Sequence, residues 1–558
     1  MDTQRLILFF VFTFSLLLLW DAWQKEQRPP PAPVAASGTR PGVVPSPTQP
    51  TVPSAPSGKA AVPAGPAESV AAAAPVHGEL IRVETDLLAA EIDTLGATLR
   101  RVELRRHRDS VDRSRNYVLL QPARHYEAQS GLTGEAGPNH RTPWRVVPGE
   151  RTLRDGQQAI QLQLVGESSD GLRVEKTYTF QRDSYLVDVA LALQNTGAKP
   201  VTAHAYFQLT HDGKESNQDQ SFASNFAAQS FTGFAQYTSA NNYAKLQFSD
   251  IDKGKADFVA QAKDGWLAFV QHYFVTAWLP GPNAPRDFVV EKRQDGNYAG
   301  RIVVPAGVLE PGGVGKVAVS LYVGPQEQKR LERADRNLPL VVDYGWLTVI
   351  AQPLFWLLEF LHGLSGNWGV AIILLTVLIK LVFFPLSAAS YKSMAKMKLV
   401  TPRLTKIREM YAHDRAKMNQ AMMELYKTEK INPLGGCFPI LVQIPVFIAL
   451  YWVLLAAIEL RHTPFMWWIQ DLSARDPYYV LPVLMTVTMV LQTRMNPTPP
   501  DPIQAKVMQF MPYVFSIFFF FFPAGLVLYW LVNNILSILQ QWQIQRLFDR
   551  DKPAHAKR

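Results

Sequence analysis

"NWGVAIILLTVLIKLVFFPL", residues 367–386, is an apolar stretch long enough to cross a bilayer, and it contains one lysine, Lys380. An ammonium in hydrocarbon is costly, so this lysine needs a polar partner or a path to the membrane surface. Its flexible stem could carry the charge from the end of the span to the lipid headgroups, which is the simplest interpretation. Thr376 lies one helical turn earlier on the same face and favours another interpretation, a polar surface within the membrane.

Further apolar stretches predict a polytopic α-helical membrane protein with six spans. The chain opens with one of them, 1–24, and no small residues mark a cleavage site after it. We therefore interpret 1–24 as a retained signal anchor, with cleavage as the alternative. After the second span, 367–386, the remaining four are predicted at 436–458, 478–495, 507–523 and 525–542. A tight turn is expected at Pro523-Ala524-Gly525, and the fifth span is short enough to thin the bilayer locally.

The region between the first two spans divides into three parts. Residues 25–79 form a Pro/Ala-rich linker, with 12 prolines in the 38 residues 29–66, which predicts an extended tether. Residues 80–340 show period-two alternation between turns, which predicts a β-sandwich domain. The alternation is clearest in "LRVEKTYTF", where one face carries Leu172, Val174, Tyr178 and Phe180. Residues 344–363 have apolar positions at helical spacing and predict an amphipathic helix in the membrane interface.

The β domain shows little sign of chemistry. "PGGVGKV" resembles a phosphate loop, but neither Ser nor Thr follows Lys316 and a strand pattern continues after it. The histidines lack metal-ligand spacing, so we expect neither a metal nor a cofactor. A scaffold or docking surface is the favoured interpretation, and a carbohydrate-binding or carbohydrate-active domain is the alternative.

Charge sets the predicted orientation. The 558-residue chain has a formal net charge of +9, and the loop 387–434 holds ten Lys or Arg residues against four acidic ones. The tail 543–558 is also basic. The positive-inside rule places both in the cytoplasm, and six spans then put both termini there and the β domain outside. The single cysteine, Cys437, excludes an intrachain disulfide.

Several spans carry polar residues that could line one hydrated groove. No Asp or Glu lies in the interior of the last five spans, and Glu459 stands at an extracytoplasmic end. This pattern argues against a proton-coupled pump or an intramembrane protease, although a transporter or channel stays open as an alternative. A cation without a carboxylate is suited to receive something negative from outside the chain. The predicted groove residues are Lys380, Thr376, Gln443, Gln492, Ser516, Asn533 and Asn534.

The cytoplasmic segment 387–434 reads as two helices broken near "YAHD", and it holds six of the 13 methionines. A flexible methionine surface can accept many apolar sequences, which would make it a contact for client proteins. Methionines that fill the seam between the two helices are an equally good explanation. The basic charge could attract ribosomal RNA or anionic lipid without sequence specificity. The predicted client contacts are Met394, Met397, Met418 and Met422.

Three stretches resemble the YidC/Oxa-type membrane protein insertases: "NWGVAIILLTVLIKLVFFPLSAASYKSMAKM", "INPLGGCFPILVQIPVFIALYWVL" and "FPAGLVLYWLVNNILSILQQ". The resemblance covers roughly residues 340–548. The N-terminal anchor and the large β domain resemble the Gram-negative YidC branch, whose outer domain is a periplasmic β-supersandwich. Lys380 matches the usual groove arginine of that family, and Thr376 matches a groove threonine. Trp530 stands where a tyrosine commonly follows the tyrosine matched by Tyr529, and the resemblance adds both residues to the predicted groove.

The resemblance implies a non-enzymatic function in the bacterial inner membrane. A hydrophilic groove would receive the polar part of a nascent membrane protein, and the apolar segment would enter the bilayer laterally. The implied partners are nascent membrane proteins, the Sec translocon, membrane lipids, and the ribosome and signal-recognition machinery through the basic loop and tail. Help with folding and assembly is also implied, without recognition of a specific nucleic-acid sequence.

Overall fold

The computed structural model describes residues 78–134, 137–214, 231–429, 438–496 and 502–550. The predicted signal anchor 1–24, nearly all of the linker 25–79 and the end of the basic tail lie outside the described residues. Strands dominate the described chain up to Pro325, and helices dominate it from Gln328 onward.

Two antiparallel nine-stranded sheets build the N-terminal part. In the first sheet the strand order is β1-β2-β3-β5-β10-β17-β16-β13, with β4 paired to β3; in the second it is β12-β11-β14-β15-β18-β9-β8-β7-β6. Buried apolar side chains from both sheets form one continuous core, as in a sandwich. The strands are β1 Leu80–Glu84, β2 Leu88–Asp93, β3 Thr98–Arg108, β4 Asn116–Leu120, β5 Glu127–Leu132, β6 Arg145–Val146, β7 Ala159–Glu167, β8 Leu172–Gln181, β9 Leu186–Asn195, β10 Val201–His211, β11 Gly233–Thr238, β12 Asn242–Leu246, β13 Gln261–Ala262, β14 Trp266–Val270, β15 Phe274–Pro280, β16 Arg286–Lys292, β17 Tyr298–Leu309 and β18 Val314–Pro325.

The helices connect and follow the sheets. A short helix lies within the sandwich, another leaves it, and eight more form the C-terminal part of the described chain. They are α1 Phe248–Asp252, α2 Gln328–Ala334, α3 Thr348–Ser365, α4 Trp368–Val382, α5 Phe384–Met410, α6 Arg415–Thr428, α7 Phe438–Ala456, α8 Val480–Met495, α9 Pro502–Phe519 and α10 Ala524–Arg550.

Strand β8 buries the apolar face that its alternation predicts, and one charged residue with it. Lys176 occupies the inward position between Val174 and Tyr178 and is fully buried. Its Nζ donates hydrogen bonds of 2.9 and 2.8 Å to the carbonyls of Ala97 and Ser130, and one of 3.4 Å to that of Gly96. An ammonium has three donors, so three carbonyls satisfy it completely. Lys176 therefore joins β8 of one sheet to two segments of the other.

Two helices of the C-terminal part, α4 and α8, are short for a bilayer. Among the described residues no single helix is both long and apolar enough to cross a membrane, and only the bent pair α4 and α5 meets that requirement together. Helix α4 has 15 residues and is about 22 Å long, and α8 has 16 residues and is about 24 Å long. The hydrocarbon core of a bilayer is about 30 Å thick. Helix α10 is long enough, but its C-terminal half is polar. Of the six expected spans, the five that fall in the described part of the chain are thus not seen as five separate long apolar helices.

The sequence predicts one continuous span over residues 367–386, but the structure divides this stretch between two helices. Helix α4 ends at Val382, and α5 begins at Phe384 with an axis bent by 67°. Pro385 lies in the first turn of α5. Proline lacks the amide hydrogen that a continuous helix needs, yet it suits a helix start, which explains a break at this position.

The turn before the last helix also differs from the expectation. Helix α9 runs from Pro502 to Phe519, whereas the fifth span was placed at 507–523. Ala524 and Gly525, expected in the turn, are the first residues of α10. The amide of Val527 donates to the carbonyl of Pro523, so the proline precedes the helix and starts it.

Helix α3 shows apolar side chains on two faces. Ala351, Phe355 and Leu358 pack into the core of the described chain. The opposite face is exposed and mostly apolar, and it contains Val349, Trp356, Phe360 and Leu364. A soluble surface rarely carries such a stripe, so this face is suited to lie against lipid.

Arg461, in the loop after α7, fastens the sandwich to the helices. Its guanidinium lies 5.4 Å from the ring centroids of Tyr117 and Phe274, and it donates to the carbonyl of Arg108 at 2.7 Å. Nearby, Arg113 forms an ion pair with buried Asp471 at 2.9 Å. Stacking and ion pairing thus fix the β3–β4 turn on the helical part.

We expect Lys176→Met to lower the free energy of unfolding of the sandwich by about 2–4 kcal/mol. Three buried carbonyls would lose their donor at about 1–3 kcal/mol each, and removal of a buried charge would offset part of that cost. Pulse proteolysis of the full chain in urea measures the difference. Lys316→Met, at an exposed position of β18, is the matched control and should change little.

The difference in stability between the wild type and Lys176→Met should change with pH in a definite direction. Burial lowers the pKa of Lys176 from 10.5 to about 7 in the folded chain. Between those pH values the unfolded chain binds more protons, so the free energy of unfolding rises with pH. The wild type should therefore gain stability relative to Lys176→Met from about pH 7 to pH 10. A constant difference over that range would contradict the burial of a titrating amine.

Candidate functional site

Lys380 is buried on the face of α4 that packs against α10. Its Nζ donates a hydrogen bond of 2.8 Å to the Oγ of Ser537, which in turn donates one of 2.7 Å to the backbone carbonyl of Asn533. No acidic residue of the described ranges forms an ion pair with Lys380. Two of its three ammonium hydrogens have no acceptor among the described residues. The charge is held in place but not neutralised.

A helix beyond the bend also reaches this position. The phenol of Tyr391, on α5, lies beside the hydroxyl of Ser537. Ser537 thus bonds α4 through Lys380 and has α5 next to it through Tyr391. Both halves of the bent helix pair therefore approach α10 at one serine.

A fourth helix contributes an amide. The Nε2 of Gln443, on α7, donates to the Oδ1 of Asn533 at 3.2 Å. We call Lys380, Tyr391, Gln443, Asn533 and Ser537 the Lys380 cluster. It joins four helices through polar side chains within otherwise apolar packing, where such groups normally face one another or water.

Thr376 and two aromatic residues lie beside this cluster. Thr376 is buried one turn before Lys380, and its hydroxyl donates to the carbonyl of Ile372 in its own helix at 2.7 Å. One turn before Asn533 on α10, Tyr529 is buried and Trp530 is half-buried. The ring of Phe447 stacks on Tyr529 at 5.9 Å and meets Trp530 edge-on at 4.5 Å. These rings close the packing on the side nearer the start of α10.

The other predicted site residues lie apart from the cluster or bond elsewhere. Ser516 is buried and donates to the carbonyl of Pro512 within α9. Gln492 is half-buried on α8. Asn534 is buried, and its Nδ2 has no hydrogen-bond partner among the described residues. The structure therefore gathers Lys380, Gln443 and Asn533 and leaves Ser516 and Gln492 outside their hydrogen-bonded network.

Sequence reasoning missed part of the network. Neither Ser537 nor Tyr391 was among the predicted groove residues. Gln541 is fully buried and donates to the Oδ1 of Asn496 at 3.2 Å, which links α10 to the end of α8. The spacing of Asn534, Ser537 and Gln541 at three and four residues is the signal that could have shown one polar face.

The loop 461–479 covers the opposite end of these helices. Its carbonyls at Leu472 and Ala474 accept hydrogen bonds from the amides of Gly525 and Ala524, at the start of α10. Its Phe465 ring lies against Gly369 at the start of α4, where a Cβ would come within 2.0 Å of the ring. The Lys380 cluster is thus separated from that end by packed side chains and the loop.

Helices α5 and α6 form the hairpin predicted for 387–434. Val400 and Leu404 are buried between them, and Met397 and Met422 pack against these two residues. Asp414 caps the start of α6 by accepting the amide of Lys417. Met397 and Met422 therefore lie in the helix seam, as the alternative interpretation of the methionines proposed.

The remaining hairpin methionines are more accessible. Met394 and Met418 are half-buried, whereas Met410 and Met423 have 71% and 53% of their surface exposed. The exposed pair offers the larger apolar contact to another molecule.

Comparison with known proteins decides the family. Residues 80–357 match the family model of the YidC periplasmic domain, and residues 360–552 match that of the 60Kd inner membrane protein. The membrane protein insertase YidC of Aromatoleum aromaticum is 51% identical over 555 residues, 99% of each chain. That of Methylobacillus flagellatus is 50% identical over 562 residues, 99% of this chain and 98% of the relative. The chain belongs to the YidC family.

A crystal structure of an active YidC insertase also matches. It covers 83% of this chain and 92% of its own, with 17% sequence identity and a TM-score of 0.37. The relatives of this family are named for membrane protein insertion, which is not an enzymatic activity.

We expect Ser537→Ala to lower the thermal stability of the helical part, because the buried ammonium would lose its acceptor. A hydrogen bond to a charged group contributes about 1.5–3 kcal/mol, and the midpoint of thermal unfolding of the full chain in detergent reports its loss. Ser516→Ala is the matched control, since its hydroxyl bonds only within its own helix. Equal small effects of both substitutions would show that the bond to Lys380 contributes nothing.

Proposed function

We propose that this chain is a membrane protein insertase of the bacterial inner membrane. It would take the polar part of a nascent membrane protein into a hydrated, positively charged groove and release the apolar part laterally into the bilayer. One observation carries the proposal: Lys380 is buried among apolar helices with a single hydroxyl acceptor and no carboxylate among the described residues. Such a cation lacks partners that an incoming acidic segment or water can supply.

The electrostatic attraction between Lys380 and a client carboxylate is strong enough to contribute to client binding. Two opposite unit charges 4 Å apart interact by about 4 kcal/mol at the effective dielectric constant typical of a protein surface, against about 1 kcal/mol in bulk water. A carboxylate drawn toward Lys380 would also accept its two free hydrogens. The bond to Ser537 keeps the ammonium in position while these contacts form and break.

Lysine in place of the arginine usual in the family should retain this role. An ammonium is a compact charge with rotatable donors, whereas a guanidinium is a flat fork that pairs two oxygens at once. The bond to one serine uses a single donor and needs no fork. We therefore infer a binding step that depends on positive charge more than on its geometry.

The short helices support the proposed transfer of a polar client tail across the membrane. We propose six spans with both termini in the cytoplasm, in which α4, α7, α8, α9 and α10 supply the last five. Helices of 15 and 16 residues fall short of the hydrocarbon thickness, and a short span can thin the bilayer around it. A polar tail would then cross less hydrocarbon. The loop 461–479, packed on the starts of α4 and α10, would keep the groove closed toward the periplasm.

Release of the client needs no nucleotide in this account. Burial of its apolar segment in lipid contributes about 0.025 kcal/mol per Å² of apolar surface. The membrane potential adds about 2.3 kcal/mol per elementary charge per 100 mV for an acidic tail that moves outward. These two terms drive the client forward and favour clients with short, acidic translocated tails.

The α5–α6 hairpin is proposed as the first client contact on the cytoplasmic side. Exposed Met410 and Met423 provide flexible apolar surface on a hairpin segment with ten Lys or Arg residues against four acidic ones. The same charge would favour contact with the ribosome, the signal-recognition machinery and anionic lipid. Cooperation with the Sec translocon and help with client folding and assembly belong to this proposal as expectations from the family.

Substitution of Lys380 tests the groove. In cells depleted of their own insertase, Lys380→Ala and Lys380→Glu should reduce insertion of a single-span client with an acidic tail by about tenfold or more. Such a loss corresponds to about 1.4 kcal/mol. Lys380→Arg should restore insertion, and protease access to the translocated tail provides the readout.

The matched control is Lys398→Ala, an exposed lysine of the hairpin. It should leave insertion unchanged at equal expression. Full activity of Lys380→Ala and Lys380→Glu would contradict the groove and reduce Lys380 to a structural residue.

Paired methionine substitutions separate the two roles of the hairpin. Met410→Ser with Met423→Ser should weaken photocrosslinking to a nascent client while leaving hairpin stability unchanged. Met397→Ser with Met422→Ser should instead increase proteolysis within the hairpin, because both side chains pack in its seam. If the Met410→Ser, Met423→Ser variant crosslinks to the client as strongly as the wild type, these two methionines do not belong to the client-binding surface.

A further inference from the structure

A tryptophan in the loop 461–479 is held in an unfavourable backbone conformation and left open to solvent. Trp467 has φ of 52°, in the left-handed region, and 77% of its surface is exposed. The preceding Met466 is 44% exposed. A bulky residue rarely adopts this conformation, which persists only where the surrounding structure enforces it.

Two buried aspartates bond the loop on both sides of Trp467. The Oδ1 of Asp471 accepts the amides of His462 and Ser473, at 3.1 and 3.0 Å. The Oδ1 of Asp476 accepts the indole Nε1 of Trp468 at 3.0 Å, and its Oδ2 accepts the amide of Leu481 at 2.7 Å. Hydrogen bonds to these two buried carboxylates therefore hold the loop 461–479 in one conformation, with Met466 and Trp467 exposed at its tip.

The carbonyls of Met466 and Trp467 accept hydrogen bonds from residues within the same turn. The Nε2 of Gln470 donates to the carbonyl of Trp467 at 2.8 Å, and the amide of Ile469 donates to that of Met466 at 3.1 Å. The turn 466–470 thus satisfies its backbone locally. The two exposed apolar side chains are not needed for this bonding.

The tip adjoins the exposed apolar face of α3. Asn367, which caps α4 directly after α3, donates its Nδ2 to the carbonyl of Phe465 at 2.9 Å. On that face Trp356 stacks on Phe360 with ring centroids 6.1 Å apart, and both residues are more than half exposed. The bond from Asn367 to Phe465 thus holds the chain next to the tip at the junction between α3 and α4.

We propose that Met466 and Trp467 insert into the headgroup–acyl boundary of the extracytoplasmic leaflet and, with the exposed face of α3, fix the depth of α4. This inference rests on the proposed function, because it takes the apolar helices to lie in a bilayer. Indole rings favour that boundary, where the ring is partly apolar and its N–H finds water or a headgroup.

Phospholipid fits this surface better than a protein partner does. The outer face of α3, the helix that directly precedes α4, is likewise exposed and apolar and suits lipid. A fixed anchor beside the start of α4 would hold the outer end of a 15-residue helix at the leaflet surface. The thickness mismatch would then fall on the inner half of the helix, where Lys380 lies, and thinning would favour the groove.

Spin-label accessibility tests the proposal on the full chain in phospholipid nanodiscs. Cys437→Ala removes the only cysteine, and single labels are placed through Met466→Cys, Val487→Cys and Val314→Cys. Val487 is an exposed position of α8, and Val314 lies at the end of β18 away from the helices. Collision rates with oxygen, which enters lipid, and with a water-soluble nickel chelate give the depth of each label.

The label at 466 should show a several-fold higher oxygen-to-nickel ratio than that at 314. Adding Trp467→Ala should lower the ratio, and Trp467→Phe should retain most of it. A ratio equal to that at 314 overturns the proposal, and so does shielding of the 466 label from both agents, which would indicate a protein partner. The label at 487 tests the membrane embedding itself: a water-like value there would instead contradict the proposed function.

Discussion

The hydrogen bond from Lys380 to Ser537 is the interaction on which the helical part depends. It places an ammonium between α4 and α10, and Tyr391, beyond the bend of the α4–α5 pair, lies beside the same Ser537. A charge among apolar helices is costly without partners, so its burial restricts how these helices can pack. The bend at Phe383 lets α5 bring Tyr391 back to the same serine. Without the lysine there would be little reason for four helices to converge on one polar cluster.

Two buried lysines show contrasting solutions to the same problem. Lys176 in the sandwich donates to three carbonyls and lies against the rings of Trp144 and Tyr178, so its bonding is complete. Lys380 donates to one hydroxyl, and its other two hydrogens lack acceptors among the described residues. The complete site holds two sheets together. The incomplete site is suited to accept and release a negatively charged guest.

The predictability of each feature follows the range of the interaction behind it. Alternation in β8 and the break near "YAHD" depend on neighbouring residues, and both were read from the sequence. The burial of Lys176 depends on carbonyls 46 to 80 positions earlier in the chain, and the polar side chain interrupted the expected apolar face. The partner of Lys380 lies 157 positions away, so the sequence indicated a polar groove without showing which side chains meet. The bend at Phe383 had a local cause in Pro385, but the apolar composition of 367–386 concealed it.

Membrane insertion joins these features into one account. The sandwich is fastened to the helices by Arg461 and Arg113, the loop 461–479 covers their outer ends, and the hairpin α5–α6 extends from the Lys380 cluster. The only charged group of the cluster can therefore be approached from the hairpin side or between the helices. Short helices shorten the distance that a polar segment must cross.

Disulfide trapping of an arrested client tests the central claim most directly. In the chain carrying Cys437→Ala, Asn533→Cys is placed beside Lys380, and the ribosome-bound client carries one cysteine in its acidic tail. The account predicts a crosslink from position 533 that is lost when Lys380→Glu is added, with no crosslink from Val349→Cys on the outer face of α3. A crosslink from 533 that is unaffected by Lys380→Glu, or its absence while insertion proceeds, would contradict a groove that works through its positive charge.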